Sequence, residues 1–278
     1  MQYANLNNGI KMPMLGYGVF KIEDGPAGAD IIKTALATGY RSIDTAAIYG
    51  NEKAVGQAIK ESGIKREDIF LTTKLWNEVQ RTGDVETAFA QSLDDLGVDY
   101  VDLYLIHWPV KGRYVDSWLA LEKIYQSGRA RAIGVSNFLE HHIDDISKVW
   151  SVVPAVNQIE LYPRLTQKPL LKHCKKYGIT PQSWGPLGGT RPADVKEGLL
   201  EDSTLVKIAE KYNKSTAQVI LRWNIDLGIV CIPKSVTPSR IKANFDIFDF
   251  ALTPEEIAAI DGLNQDKRLG AHPDNFDF

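Results

Sequence analysis

Four polar residues of this sequence stand at or just after the ends of short apolar runs: Asp44, Tyr49, Lys74 and His107. They converge on one point if the runs are parallel strands closed into a barrel, because such barrels gather strand ends at one face. A phenol with a pKa of about 10 donates a proton poorly at neutral pH unless its anion is stabilised. A contacting lysine would stabilise that anion, a carboxylate would hold the lysine, and the imidazole would orient a carbonyl. The set therefore predicts a carbonyl reductase in which Tyr49 is the proton donor.

Each residue of this set also has a purely structural interpretation. Asp44 could cap the next helix, and Tyr49 could be an ordinary loop aromatic. Lys74 could be a solvated strand end, and His107, which precedes Trp-Pro, could be a core histidine with its hydrogen bonds satisfied. Their joint occurrence on the second, third and fourth predicted strands favours the catalytic interpretation.

Short apolar runs that alternate with amphipathic helical patterns would position these residues. The predicted strands are 15–19, 42–46, 70–75, 101–107, 131–135, 155–159, 180–184 and 229–233. The helical patterns cover 51–62, 84–96, 116–127, 170–177, 202–212, 215–227 and 253–263. Unbroken apolar strands suit a parallel sheet that is covered on both faces. The pattern predicts an α/β fold, a (β/α)₈ TIM barrel with extra C-terminal helices.

The two ends of the chain fit one domain. An N-terminal β-hairpin is predicted over residues 3–12, where Asn7-Asn8-Gly9 favours a tight primed turn. At the other end, Phe276-Asp-Phe278 could dock on the barrel or hang free. No linker or change of composition interrupts the pattern, so residues 1–278 are predicted to form a single domain.

Composition excludes several classes of function. The chain has 278 residues, a net charge of −3 and 44% hydrophobic residues, so no general attraction to nucleic acid or membrane is expected. No segment approaches the ~20 apolar residues of a membrane span, and the N-terminus lacks the features of a signal peptide. Cys174 and Cys231 lie outside any metal-ligand spacing and predict two buried thiols in a reducing cytoplasm.

A reductase needs a hydride source, and the sequence offers two candidate sites for a nucleotide. Gly16-Tyr-Gly18 is only a fragment of the dinucleotide fingerprint, since position 21 is Lys and no obvious helix follows. After the eighth strand, Lys234, Ser235 and Arg240 combine two cations with a hydroxyl beside a helix start. This segment could be an ordinary basic helix start, but the cations favour a 2′-phosphate and hence NADPH over NADH.

From about Met12 to Asn264 the chain resembles the aldo-keto reductases. The segments that carry the resemblance are Gly39-Tyr-Arg-Ser-Ile-Asp44-Thr-Ala-Ala-Ile-Tyr49-Gly-Asn-Glu, Lys74-Leu-Trp-Asn, Leu103-Tyr-Leu-Ile-His107-Trp-Pro, Gly134-Val-Ser136-Asn137-Phe, Asn157-Gln158-Ile-Glu and Ile232-Pro-Lys234-Ser. The resemblance implies a (β/α)₈ barrel that binds NADP(H) across its carboxyl mouth. It also implies Tyr49 as general acid, Lys74 and Asp44 as modulators of its pKa, and His107 as the group that orients the carbonyl.

The same resemblance implies the remaining contacts. Ser136, Asn137 and Gln158 would hold the nicotinamide carboxamide, and Trp184 would stack on its ring. Lys234, Ser235 and Arg240 would grip the 2′-phosphate, with Asn244 near the adenine. Further cofactor contacts are expected at Gly18, Val19, Gly185 and Leu187. The substrate, a small carbonyl compound, would lie among Phe20, Trp76 and Trp108, whose structural alternative is core packing.

The sequence departs from the pattern of many family members in three places. Trp184-Gly-Pro-Leu stands where many members have Tyr-Ser-Pro-Leu, which resembles the bacterial 2,5-diketo-D-gluconate and glyoxal (methylglyoxal) reductases. Ala243 replaces an acidic or amide residue that often touches the adenine amine. The tail that ends at Phe278 is shorter than in the mammalian reductases, so an open, permissive pocket is expected.

Other interpretations of the sequence stay open. The barrel could be a catalytically silent NADPH-binding or structural protein, or an isomerase or aldolase that uses Lys74 as a Schiff base. The Schiff-base alternative leaves Lys234, Ser235 and Arg240 unexplained. His141-His142 lacks further ligands at metal spacing and predicts a solvated helix start, so no metal site is expected. A monomer is expected from the resemblance alone.

Overall fold

The computed structural model describes residues 1–188 and 198–276. Eight parallel strands are hydrogen-bonded in chain order, and an antiparallel hairpin of β1 and β2 precedes them. The strands are β1 Tyr3–Asn5, β2 Lys11–Pro13, β3 Tyr17–Gly18, β4 Ser42–Asp44, β5 Phe70–Leu75, β6 Leu103–Ile106, β7 Ile133–Ser136, β8 Val156–Glu160, β9 Thr180–Trp184 and β10 Val230–Ile232. Backbone bonds from Gly16 to Cys231 (2.9 Å) and from Cys231 to Met14 (3.0 Å) bring the two ends of the sheet together. The predicted (β/α)₈ barrel is confirmed.

Helices surround the strands and cover their outer faces, which explains why every residue of β4 to β8 is buried. The helices of the described residues are α1 Pro26–Thr38, α2 Glu52–Glu61, α3 Asn77–Thr82, α4 Val85–Leu96, α5 Tyr114–Gln126, α6 Glu140–Ser147, α7 Lys168–Tyr177, α8 Ser203–Tyr212, α9 Thr216–Asp226, α10 Pro238–Phe245 and α11 Pro254–Asp261. Helices α1 and α3 lie outside the predicted set, whereas α6 and α10 were predicted only as helix starts, without bounds. None of the helices in the described ranges has the length and apolarity to span a membrane.

The N-terminal hairpin is present, but its turn differs from the predicted one. The N–H of Gly9 donates to the carbonyl of Leu6 at 2.9 Å, and the N–H of Leu6 donates to the carbonyl of Ile10 at 2.9 Å. Within this loop only Gly9 has a positive φ, 85°, as in a type I turn followed by a glycine. The prediction of a primed turn is therefore wrong. Asn7 and Asn8 use their side-chain amides to bind backbone carbonyls just before β8 and β7, which ties the hairpin across the amino ends of the strands.

Candidate active site

The carboxyl ends of three neighbouring strands bring the predicted catalytic residues to one cavity. Asp44 ends β4, Lys74 lies one residue before the end of β5, and His107 follows β6 directly. Tyr49 comes from the short 3₁₀ turn Ala47–Tyr49 that follows β4. All of them except Lys74 line a cleft of about 440 Å³. The parallel register thus converts positions far apart in the sequence into one cluster.

Lys74 is the centre of this cluster. Its Nζ lies 2.6 Å from Oδ1 of Asp44 and donates to the carbonyl oxygen of Thr45 at 2.8 Å. Its ammonium lies 5.1 Å from the centroid of the Tyr49 ring. The second Asp44 oxygen accepts from Nε2 of Gln158 at 2.7 Å. A buried charge needs such complete pairing, so this network holds the Lys74 charge beside the Tyr49 ring.

Burial and charge set the protonation of the cluster. Burial raises the pKa of the Tyr49 phenol above its ordinary value, and the positive charge of the Lys74 ammonium opposes that rise. Burial lowers the pKa of Lys74, but Asp44 and Tyr49 outweigh burial, so the net pKa of the ammonium is raised. The cluster at neutral pH is therefore a protonated phenol beside a permanent cation, and the cation stabilises the phenolate formed when the proton leaves.

His107 is neutral in this site. Burial and the nearby Lys74 charge hold the pKa of its imidazole well below the ordinary value. Within the described part of the chain, its Nδ1 is buried without a hydrogen-bond partner. An enclosed N–H without an acceptor is costly, so we assign the single ring proton to Nε2. The ring packs edge-on against Trp76, with centroids 5.3 Å apart, and lies 5.7 Å from the Tyr49 ring.

Aromatic side chains form the walls of the cleft beyond the polar cluster. Phe20 is 45% exposed and packs on Tyr49 with ring centroids 4.9 Å apart. Trp108 stacks on Phe276 at 4.0 Å and 14°, so the last described residue of the tail lies in the cleft. The predicted open end of the pocket is thus narrowed by Phe276, while residues 277–278 lie outside the described ranges. These walls favour apolar or flat groups beside a small polar centre.

A second polar network lies along the cleft, at the ends of β7, β8 and β9. The hydroxyl of Ser136 donates to the carbonyl of Gln158 at 2.9 Å, and Nδ2 of Asn137 donates to the carbonyl of His107 at 3.0 Å. The indole Nε1 of Trp184 donates to Oδ1 of Asn137 at 2.8 Å. This bond fixes the plane of the indole at the cleft wall. Amides, a hydroxyl and a fixed ring are groups that suit a nicotinamide.

The far end of the cleft is cationic. Lys234 lines the cleft beside Gly18, while Arg240 is exposed on the first turn of α10. Within the described residues neither cation pairs with a carboxylate. Burial and the like charge of Lys21 lower the pKa of Lys234. Unpaired cations at a helix start fit a phosphate, because the anion relieves their repulsion and the helix N–H groups attract it.

The glycine at position 18 also fits a ligand that approaches the backbone closely. A Cβ atom built on Gly18 would lie 3.1 Å from the carbonyl oxygen of Ile232, so a larger side chain would crowd this corner of the cleft. The residues present therefore fit an extended dinucleotide, with the nicotinamide at the Trp184 end and a phosphate at the Lys234 end.

The structure brings most of the predicted site together and adds to it. Val19 is buried behind the cleft and does not line it, and Ser235, Arg240 and Asn244 lie beyond Lys234 around the start of α10 and along it. The lining residues that the sequence did not indicate are Ile48, Pro186, Ile232, Pro233 and Phe276. Ile48 precedes Tyr49 and is 47% exposed, an apolar exposure that only the structure reveals.

The histidine pair at the start of α6 differs in part from its prediction. His141 is exposed as expected, but His142 is 5% exposed and packs among aromatic rings. Both Nε2 atoms lie near Asp274 of the tail, at 2.9 Å for His141 and 3.3 Å for His142. Nδ1 of His142 accepts the N–H of Leu139 at 3.1 Å, so its lone pair is already used and Nε2 carries the proton. In this arrangement Nε2 of His142 is a donor rather than a metal ligand.

Comparison with known proteins agrees with this geometry. Residues 15–265 match the model of the Aldo/keto reductase family. The glyoxal reductase of Bacillus subtilis (strain 168) is 52% identical over 275 residues, which is 99% of this chain and 97% of the relative. An aldo-keto reductase enzyme from a Medee basin deep-sea metagenome library superposes with a TM-score of 0.94 at 43% identity, covering 99% of this chain and 100% of its own. The Bombyx mori aldo-keto reductase in complex with NADP has a TM-score of 0.87 at 37% identity, covering 98% of this chain and 96% of its own.

Proposed function

The chain belongs to the aldo/keto reductase family, and we propose that it is an NADPH-dependent enzyme that reduces small aldehydes and ketones to alcohols. The observation that carries the proposal is the phenol of Tyr49 beside the buried Lys74–Asp44 ion pair in an aromatic-walled cleft. An ion pair that stabilises a phenolate indicates a phenol that acts as a proton donor.

The residues of the cleft have distinct roles in this reaction. When bound, NADPH supplies a hydride to the carbonyl carbon. Nε2–H of His107 donates to the carbonyl oxygen and orients it, which its neutral state and assigned tautomer permit. Tyr49 then transfers its proton to that oxygen, and Lys74 stabilises the phenolate that remains. Asp44 keeps Lys74 in place and is itself held by Gln158.

The cofactor would be held at two ends of the cleft. Ser136, Asn137 and Gln158 offer polar groups to the carboxamide, and Trp184 offers its ring face to the nicotinamide. Lys234 and Arg240 offer positive charge to the 2′-phosphate, which is the group that distinguishes NADPH from NADH. The relative solved with NADP supports this assignment, since the two chains share fold and length.

Small dicarbonyls such as glyoxal and methylglyoxal, or keto-sugars, are the substrates that we propose. The cleft of about 440 Å³ must hold the nicotinamide as well as the substrate, which favours small carbonyl compounds. The relative named glyoxal reductase supports the dicarbonyls. The cytoplasmic location, the monomeric state and a role in detoxification stay predictions.

Loss of reduced-nicotinamide absorbance tests the proposal, with methylglyoxal, 4-nitrobenzaldehyde and 2,5-diketo-gluconate as substrates. Tyr49→Phe removes the transferred proton and is expected to lower kcat by at least about 100-fold, while NADPH binding by tryptophan fluorescence stays unchanged. Tyr125→Phe on α5 is the matched control and should retain wild-type rates. A Tyr49→Phe enzyme with the wild-type rate would contradict the role of Tyr49. NADPH binding without turnover of any carbonyl would support the alternative, a catalytically silent barrel.

A further inference from the structure

The C-terminal tail after α11 crosses the carboxyl mouth of the barrel and has a first anchor at Glu160. This carboxylate is 2% exposed and accepts the N–H of Leu269 at 2.7 Å and that of Gly270 at 3.0 Å. A Cβ atom built on Gly270 would lie 2.6 Å from Cη2 of Trp184, so the tail backbone lies directly against this indole. The tail therefore reaches the active site along a fixed path.

A second anchor lies four residues further along the tail. Asp274 Oδ1 lies 2.9 Å from Nε2 of His141 and 3.3 Å from Nε2 of His142, both on the first turn of α6. Because Nδ1 of His142 accepts the N–H of Leu139, its Nε2 carries the ring proton and lies 3.3 Å from the carboxylate. We call His141, His142 and Asp274 the histidine latch. His272 lies on the tail side of it, with Nδ1 3.8 Å from the second Asp274 oxygen.

The histidine latch stands next to an aromatic contact in the substrate cleft. One residue separates Asp274 from Phe276, whose ring stacks on Trp108 at 4.0 Å and meets the edge of Trp76 at 6.2 Å. An aromatic pair contributes only about 0.5–1.5 kcal/mol beyond its buried area, whereas ordering each backbone residue costs about 1–2 kcal/mol. The ring pair therefore does not order residues 271–276 by itself, and the buried Pro273 and the Asp274 contacts contribute as well.

We propose that Asp274 is a positioning residue that sets substrate preference, because the histidine latch holds Phe276 on Trp108 as one wall of the substrate cleft. This inference rests on the proposed reductase function. Aromatic aldehydes extend from the polar cluster to this wall and gain affinity from it. Methylglyoxal is small enough to be held by Tyr49, His107 and Trp76 without reaching Phe276.

Steady-state kinetics with two substrates test the proposal. Asp274→Ala should raise KM for 4-nitrobenzaldehyde about three- to tenfold, the range that corresponds to losing one aromatic contact, with kcat nearly unchanged. KM for methylglyoxal and for NADPH should stay at the wild-type value. Phe276→Ala should match Asp274→Ala, and the double variant should be no worse than either single one, since both remove the same wall. Asp249→Ala, which breaks a surface ion pair with Lys214, is the control and should leave KM for 4-nitrobenzaldehyde and KM for methylglyoxal unchanged.

An unchanged KM in Asp274→Ala, equal effects on both substrates, or additive effects in the double variant would each overturn the proposal. A measurement without turnover separates it from the proposed function. Backbone hydrogen exchange over residues 271–276 should become faster in Asp274→Ala, while Leu269 and Gly270, held by Glu160, keep their protection. Faster exchange in a protein that reduces no carbonyl would support the positioning role of Asp274 and contradict the reductase function. Unchanged exchange would contradict the positioning role of Asp274, whether or not the protein is active.

Discussion

Lys74 Nζ lies 2.6 Å from Oδ1 of Asp44, and the two side chains are 0% and 3% exposed. If one member of this pair is removed, the other charge stays buried without its partner, at a cost of about 3–5 kcal/mol. Lys74→Met is therefore expected to lower the free energy of unfolding by that amount and to abolish carbonyl reduction. Denaturant unfolding and the NADPH assay measure the two effects.

A surface lysine provides the control for this stability prediction. Lys33 pairs with Asp30 at 2.8 Å and with Glu61 at 2.7 Å, but water already solvates these groups. Lys33→Met should therefore change the unfolding free energy far less than Lys74→Met and should leave turnover intact. Equal losses of unfolding free energy in Lys74→Met and Lys33→Met would show that the buried pair contributes no more to stability than a surface pair.

The protonation states of His107 and Tyr49 predict an unusual pH profile. Burial and Lys74 keep the pKa of His107 well below its ordinary value, so the imidazole stays neutral through the range where a free histidine titrates. The raised pKa of Tyr49 keeps the phenol protonated to high pH. The kcat/KM for reduction should therefore be flat from about pH 6 to about pH 9. A fall through about pH 6.5 would show that an imidazole titrates during catalysis.

Lys234 and Arg240, which pair with no carboxylate among the residues that the structure describes, predict the choice of cofactor. Arg240→Ala should raise KM for NADPH about 10- to 100-fold, the effect of losing one charge-assisted hydrogen bond of about 1.5–3 kcal/mol. KM for NADH, which lacks the 2′-phosphate, should hardly change. Lys242→Ala, an exposed lysine on the same helix, is the matched control. An equal rise of both KM values would place Arg240 away from the 2′-phosphate.

The strands were predictable because several of them are unbroken apolar runs that alternate with helical patterns, whereas helix α1 was not predicted. Pro26–Thr38 contains four alanines, and its buried residues include Gly28, Ala29 and Ala35, so small side chains form much of its packed face. Its glycine at position 28 lies so close to the chain that a Cβ atom there would be 2.0 Å from the carbonyl oxygen of Glu23. The start of that helix therefore packs tightly on the loop that precedes it, a contact that a hydrophobic period does not reveal.

The same difference separates the predictable part of the site from the rest. Asp44, Lys74 and His107 could be identified because the sequence places each at a strand end. A parallel barrel then brings the carboxyl ends of its strands to one face. The stack of Trp108 on Phe276 depends on the path of a tail without regular structure between α11 and a short 3₁₀ turn. No local pattern connects these two residues, so the sequence left the tail undecided.

The burial of His142 predicts a loss of stability in acid. Its ring lies between Tyr114 and Phe138, with centroids 5.2 Å and 5.6 Å away. Burial and the neighbouring His141 lower the pKa of His142 from 6.5 to about 4. The unfolded chain binds this proton near pH 6.5, whereas the folded chain binds it only near pH 4. Its contribution to stability is therefore complete above about pH 6.5 and is lost as the pH falls towards 4.

His142→Gln tests this acid dependence, because glutamine can still accept the N–H of Leu139 but does not take up a proton. Wild type should lose up to about 3 kcal/mol more unfolding free energy than His142→Gln between pH 7.5 and pH 4.5, as measured by denaturant unfolding. The lowered pKa of His107 acts in the same direction, so His142→Gln should retain part of the slope. Parallel curves for wild type and His142→Gln would mean that the pKa of His142 is the same in the folded and the unfolded chain.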